Sequence, residues 1–248
     1  MSESDDALAE RLATGAGALL LALQQSGRFE GKALGNEGDS IANRYLIDAI
    51  RAARPGDAIL SEEETDSAAR LSQKRVWIID PLDGTREYSE GRSDWAVHVA
   101  LAIDCVAAVG AVALPSLGIT LTSANPAPLP ARNDPPVMVV SRTRPAAEAV
   151  SVANIIAATL LPMGSAGAKA MAVVRGEADF YLHSGGQYEW DNCAPVAVAQ
   201  SAGLHCSRID GAPLVYNQAN TYLPDLLICR HEDAAAILAM LERMAREQ

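Results

Sequence analysis

Val76-Trp77-Ile78-Ile79-Asp80-Pro81-Leu82-Asp83-Gly84-Thr85 decides how the rest of this chain is read. The opening five residues form a short apolar, β-branched run that suits a buried strand. That strand delivers two carboxylates, Asp80 and Asp83, across a turn stiffened by Pro81. Carboxylates so spaced can point into one pocket, and oxygen donors of this kind suit magnesium. The turn frees the Leu82 carbonyl as a further oxygen donor. A helix starting after Gly84 would aim its first N–H groups, around Gly84 and Thr85, at a phosphate. An Asp-Gly pair alone is ordinarily just a turn, so the weight comes from its company.

Upstream, Ser61-Glu62-Glu63 follows a short predicted strand over 58–60. A Glu62 carboxylate there could bridge a cation and hold an attacking water, although runs of acids are more often solvated loops. Downstream, Trp190-Asp191 puts an aspartate at the expected N-cap of an Ala/Val-rich helix over 191–202. Capping alone would account for that residue.

The bulk composition narrows the partners. Twenty Lys and Arg stand against 31 Asp and Glu in 248 residues, a formal net charge of −11. Such a chain is a poor fit to nucleic acid or an anionic membrane, both of which need basic patches. It can hold an anionic substrate only where something reverses the sign locally, and divalent cations do this well. The N-terminal apolar stretch opens with acids instead of a basic segment, which argues against a secretory signal and for a cytoplasmic protein. Leu8, Leu12, Leu19, Leu20 and Leu23 fit one face of a soluble helix. Cys105, Cys193, Cys206 and Cys229 show neither close pairing nor metal-finger spacing, so reduced thiols are expected.

Along the chain, the polar, glycine-rich segment 26–40 reads as a loop or hairpin, and 41–53 as a helix ended by Arg54-Pro55-Gly56. Strands are expected over 95–103, 106–114 and 119–122. The proline-rich segment 123–136 marks the boundary between an α+β half, 1–133, and an α/β half, 134–248. In the second half a strand over 137–141, helices after Pro145 and over 166–174, and a strand over 180–182 alternate as in an α/β layer. A late strand over 226–229 and an amphipathic helix over 233–246 close the chain.

Taken together, SEE, then DPLDGT, then WD before a small-residue helix resemble the signature of the inositol-monophosphatase-like, lithium-sensitive phosphatases, in segment order as well as content. The longer strings VWIIDPLDGTREYSEGRSDWAVHVAL (76–101) and GSAGAKAMAVVRGEADFYLHSGGQYEWDNCAP (164–195) look like the 3'(2'),5'-bisphosphate nucleotidases, the CysQ type, particularly the actinobacterial ones. The pair Glu87-Tyr88 fits that branch, where inositol phosphatases more often carry Asn-Phe.

The resemblance implies an α/β five-layer αβαβα sandwich, often a homodimer, with two or three magnesium ions on Glu62, Asp80, Asp83, Asp191 and the Leu82 carbonyl. It implies that Glu62 and Thr85 orient the attacking water, with Asp83 essential to turnover. The substrate phosphate would rest on the ions and on Gly84 and Thr85. Lys169 and Ser165 would add nucleotide-phosphate contacts, with Arg86 and His183 as weaker candidates. The implied substrate is a small phosphorylated nucleotide, 3'-phosphoadenosine 5'-phosphate and its sulfated form; the alternative is broad action on inositol phosphate or fructose 1,6-bisphosphate. One stretch departs from the family. Where relatives carry Lys-x-Asp-x-Ser-Pro-x-Thr-x-x-Asp, this chain has 33–43, ending in Asn43. That removes donors of the third metal, for which Lys32, Glu37 or Asp39 could compensate.

Overall fold

The computed structural model describes residues 3–246. Helix α1 (Asp5–Gln25) is capped by Ser4, whose Oγ accepts the Ala7 N–H at 3.2 Å, and α2 is Gly31–Ala53. The first sheet comprises β1 (Ala58–Ser61), β2 (Arg75–Asp83), β3 (Ala96–Ile103), β4 (Val106–Leu114) and β5 (Ile119–Thr122), in that spatial order. β1 and β2 are parallel and the remaining neighbours antiparallel. A single-turn helix, α3 (Thr85–Ser89), leaves the end of β2.

After 123–136 the chain builds a second sheet. Its elements are β6 (Val137–Ser141), α4 (Ala147–Ile155), β7 (Thr159–Met163), α5 (Ala166–Val174), β8 (Phe180–Tyr188), α6 (Glu189–Ser201), β9 (Leu204–Ser207), β10 (Tyr222–Arg230) and α7 (His231–Arg246). The strand order is β7-β6-β8-β10-β9.

Three apolar cores join these elements into five layers. Leu8, Leu12 and Leu20 of α1 and Leu46 and Ile50 of α2 cover one face of the first sheet, against Trp77, Ile79, Val97 and Val99. The other face, bearing Ile78, Ala96 and Ala100, packs on α5 and α6, which also cover Val139, Tyr181 and Ile228 of the second sheet. The outer face of that sheet is closed by α4 and α7 through Val152, Ile237 and Leu241. The result is the αβαβα sandwich the motifs imply. Among the described residues no helix is long and apolar enough to cross a membrane, and the four cysteines are free.

Three sequence expectations fail here. Segment 31–40 is helical instead of a loop, because α2 begins at Gly31. Its glycines serve close packing: a Cβ on Gly35 would meet Thr85 Cγ2 at 2.8 Å, and one on Gly38 would meet Tyr88 at 3.0 Å. Strands β7 and β9 were not anticipated; both are short edges of the second sheet, and β7 carries Pro162.

The central helical layer sits tightly on the first sheet at Gly110 of β4, where an added Cβ would lie 2.5 Å from the Ala194 carbonyl oxygen of α6. Gly110→Ala should therefore destabilise by about 1–3 kcal/mol. Thermal denaturation would register this as a fall of roughly 2–12 °C in Tm; an unchanged Tm would contradict the packing.

Candidate active site

Strand β2 runs through the whole motif to Asp83, with its pairing to β3 shifted between Asp80 and Asp83. The irregularity turns both carboxylates to one end of the sheet. Asp80, 1 % exposed, accepts the Leu82 N–H at 3.0 Å on Oδ1. Gly84 then takes φ +89°, the left-handed region that a side chain resists, and a Cβ there would come within 2.9 Å of Ser165 Cβ. This turn starts α3 and brings Thr85 back over the strand end. The Thr85 hydroxyl reaches the Leu82 carbonyl at 3.1 Å and Asp39 Oδ1 at 3.3 Å.

Asp191 arrives from the other half of the molecule. It occupies the third residue of α6 instead of the N-cap the sequence suggested, and its Oδ2 accepts the N–H of the capping residue Tyr188 at 2.6 Å. Ligand oxygens of Asp80, Asp83 and Asp191 lie within 4.8 Å of one another. Glu62, just past β1, stands beside Asp80.

Like charges this close resist ionisation. Burial, then the Glu62, Asp83 and Asp191 charges, hold Asp80 well above the carboxylate range. Asp191 is raised to about 6 by burial and the Asp83 charge. Glu62 is raised to about 7 by desolvation and the Asp191 charge, with its contact to Asp80 pulling the other way. The Glu62 residue as a whole is solvent-accessible. Asp83 is the exception. Burial works to raise it, but His98 and, further off, Lys169 bring it below its ordinary value. The N–H groups of Ala166 and Gly167, at the start of α5, add to this by donating to its two oxygens at 3.1 and 2.5 Å.

The remaining expected residues are placed as follows. Ser165 caps α5, its Oγ accepting the Ala168 N–H at 3.0 Å. Lys169 is buried and donates to the Gly164 carbonyl and, at 2.7 Å, to that of Ser165. Arg86 is exposed and paired with Glu90 at 2.9 Å. His183 donates from Nε2 to the Gly186 carbonyl at 3.1 Å. Asn43 braces the end of β1, accepting from Ser61 at 2.8 Å and donating to Glu64 at 2.9 Å. Asp39, one turn earlier on α2, is the early acidic residue that reaches Thr85; burial and the Glu63 charge raise it to about 7. Lys32 is exposed.

A cavity of about 590 Å³ opens over Asp83 and Asp191 and extends to Arg142, Arg144 and His183. Its position follows from topology. β6 leads to α4 on the outer face while the parallel β7 leads to α5 on the inner face, and such divergence opens a crevice at the strands' carboxyl ends. Arg142 bridges to Glu87 at 2.7 Å and Glu90 at 3.0 Å, tying the loop after β6 to α3. The neighbouring Tyr88 donates to the Leu20 carbonyl at 2.7 Å, fixing α3 on α1. Among the described residues the Arg144 guanidinium makes no hydrogen bond or ion pair; burial, then the Lys169 and Arg144 charges, depress His183. Arg142, Arg144 and His98 were not singled out from the sequence. Two arginines on a loop between a predicted strand and helix were the available signal for the first two, and a lone histidine amid strand alanines for the third.

The inositol monophosphatase family profile matches residues 2–243. The chain belongs to the inositol monophosphatase family. It is 46 % identical to a 3'-phosphoadenosine 5'-phosphate phosphatase of Mycobacterium leprae, over 97 % of this chain and 94 % of that one. It is 48 % identical to the protein of the same name from Mycobacterium bovis, over 91 % and 89 %. An inositol monophosphatase II structure from Staphylococcus aureus superposes with TM-score 0.80 at 19 % identity, covering 95 % of this chain and 92 % of that one. That likeness establishes the family fold in a more distant member.

The crowding has a measurable sign. Folding lifts Asp80 above its ordinary 3.8, so the folded chain retains a proton that the unfolded chain releases. That group's stabilisation is present at low pH and is lost as pH rises from about 4 through the folded value. Asp80→Asn keeps the acceptor for Leu82 and removes the charge. In chelator at pH 8 it should raise stability by about 1 kcal/mol or more, with the gain shrinking toward pH 5, while turnover with magnesium is lost. A pH series of melting curves checks this; a variant less stable at pH 8 would contradict it.

Proposed function

We propose that this chain is a magnesium-dependent phosphomonoesterase that removes the 3'-phosphate of 3'-phosphoadenosine 5'-phosphate. The observation that carries the proposal is a cavity floored by Asp83 and Asp191, with Asp80 clustered beside them, and walled by the cationic Arg142 and Arg144 next to His183. The names of the mycobacterial relatives point to the same substrate.

The floor suits divalent cations on physical grounds. Glu62 stands beside Asp80 and Asp191, and carboxylates crowded in this way are relieved by a proton or a cation between them. Glu62, Asp80, Asp83, Asp191 and the Leu82 carbonyl would hold two ions, all oxygen donors of the type magnesium prefers. Bound there, the ions would lower the pKa of water and stabilise charge on the oxygens of an in-line displacement.

The chain's own groups set the geometry. Thr85, its hydroxyl held between the Leu82 carbonyl and Asp39, orients the attacking water together with Glu62. Thr85 and Gly84 turn backbone N–H groups toward the phosphate. Asp39 stands where it can assist a third ion, in place of the donor lost at Asn43. Lys169 lends positive charge to this end of the cavity while its ammonium stays tied to Gly164 and Ser165. Arg144 meets the second phosphate, the feature that separates a bisphosphate nucleotide from an inositol monophosphate. A cavity of about 590 Å³ is within the usual range for ligands of nucleotide size. The substrate's small size, and the absence of any basic surface requirement, agree with the chain's net charge of −11.

Phosphate release from 3'-phosphoadenosine 5'-phosphate, inositol 1-phosphate and fructose 1,6-bisphosphate, with magnesium and with chelator, tests the reading. The nucleotide should have the highest kcat/KM, with turnover abolished by chelation. Arg144→Ala should raise KM for the nucleotide about tenfold, the value of one charge-assisted contact, and leave inositol 1-phosphate nearly unaffected. Equal turnover of the sugar phosphates would replace the nucleotide reading with broad phosphatase action.

A further inference from the structure

His98 is fully buried at the centre of β3. Its neighbours on the same face of the strand, Ala96, Ala100 and Ala102, are small and apolar, so the imidazole is the one polar group in that row. Its two nitrogens meet opposite sides of the acidic cluster. Nδ1 lies 3.0 Å from the Trp190 carbonyl, the peptide that leads into Asp191. Nε2 lies 3.1 Å from Asp83 Oδ2, an ion-pair distance, though too far out of line for a well-formed hydrogen bond. Space for the ring depends on Gly167, where a Cβ would fall 2.0 Å from Nε2.

The contact also apportions the Asp83 carboxylate. Each oxygen offers about two acceptor positions. Oδ2 takes the Gly167 N–H and faces His98, whereas Oδ1 takes only the Ala166 N–H. Oδ1 therefore keeps an acceptor position open. Asp191 is left in a similar state, with Oδ2 engaged by Tyr188.

We propose that His98 is a positioning residue: one buried imidazole, spanning Asp83 and the backbone beside Asp191, fixes the separation and orientation of these carboxylates, brought in by β2 and α6, for divalent cations. The proposal rests on the metal reading given above. His98 itself touches neither substrate nor reacting atoms. Partners that orient a metal ligand from behind typically matter by 10–100-fold in metal affinity.

Three substitutions separate the contacts. Asn places its amide near Nδ1 and keeps the Trp190 contact. Gln places its amide near Nε2 and keeps the Asp83 contact. Leu removes both. Mn2+ binding to the substrate-free protein, followed by the electron paramagnetic resonance of free Mn2+, gives a readout independent of turnover. His98→Leu and His98→Asn should weaken Mn2+ by about 10–100-fold, with His98→Gln intermediate between Leu and wild type. At saturating metal, KM for the nucleotide should stay near the wild-type value. Should Leu fail to fold by circular dichroism in chelator, the Asn and Gln variants carry the comparison. All folded variants binding Mn2+ within about twofold of wild type, or Gln no better than Asn, would overturn the proposal. Wild-type protein that bound no Mn2+ would instead bring down the metal reading beneath it.

Discussion

Mutual repulsion among Glu62, Asp80, Asp83 and Asp191 is the constraint around which this molecule is organised. Acidic side chains this close, with Asp80 and Asp83 almost sealed from water, would drive the two halves of the chain apart if nothing opposed it. The opposition comes from fixed partial and full charges: the amides opening α5, His98, and the more distant Lys169. They suffice to keep Asp83 ionised. They do not suffice for Asp80, Glu62 or Asp191, whose carboxyls remain raised. That residual imbalance is what a divalent cation would relieve, and it makes the site a destabilised feature that the surrounding layers must hold shut.

The layers explain how it is held. β2 and β1 bring Asp80, Asp83 and Glu62 to one end of the first sheet, while α6 brings Asp191 from the second half. The central layer, α5 and α6, packs on both sheets, so the cluster sits across a shared core and not on a flexible seam. The same layer places the start of α5 against Asp83 and opens the cavity at the diverging ends of β6 and β7. Asp94 reinforces this arrangement by accepting the Gly164 N–H at 2.7 Å while paired with Arg92. The acidic cluster and the arginine-lined end of the cavity are thereby positioned by one set of contacts.

Much of this was legible in the residues, and the gaps have physical causes. The apolar run before Asp80 announced the strand and Asp80 to Gly84 its load. The strand nevertheless runs on with an irregularity to Asp83, and the chain turns only at Gly84, instead of from Pro81 as the sequence suggested. Asp191 was found, yet its place in α6 was not, since an aspartate at the third helical position caps backward much as one at the N-cap caps forward. Glycines at 35 and 38 read as loop because glycine is a poor helix former; close approach to α3 and Tyr88 overrides that preference. Edge strands as short as β9 carry too few residues for alternation to show. His98 escaped notice because its role appears only when β3, α5 and the residue before Asp191 meet. The Arg144 loop escaped for the same reason, its importance arising from a crossover between parallel strands.

The most direct test of the central claim is anomalous diffraction from crystals equilibrated with Mn2+ as a stand-in for magnesium. Two anomalous peaks should appear in the space bounded by Glu62, Asp80, Asp83 and Asp191, with the Leu82 carbonyl and Asp83 Oδ1 in contact with metal. Saturating Mn2+ that supported turnover yet left no peak among these residues would contradict the account.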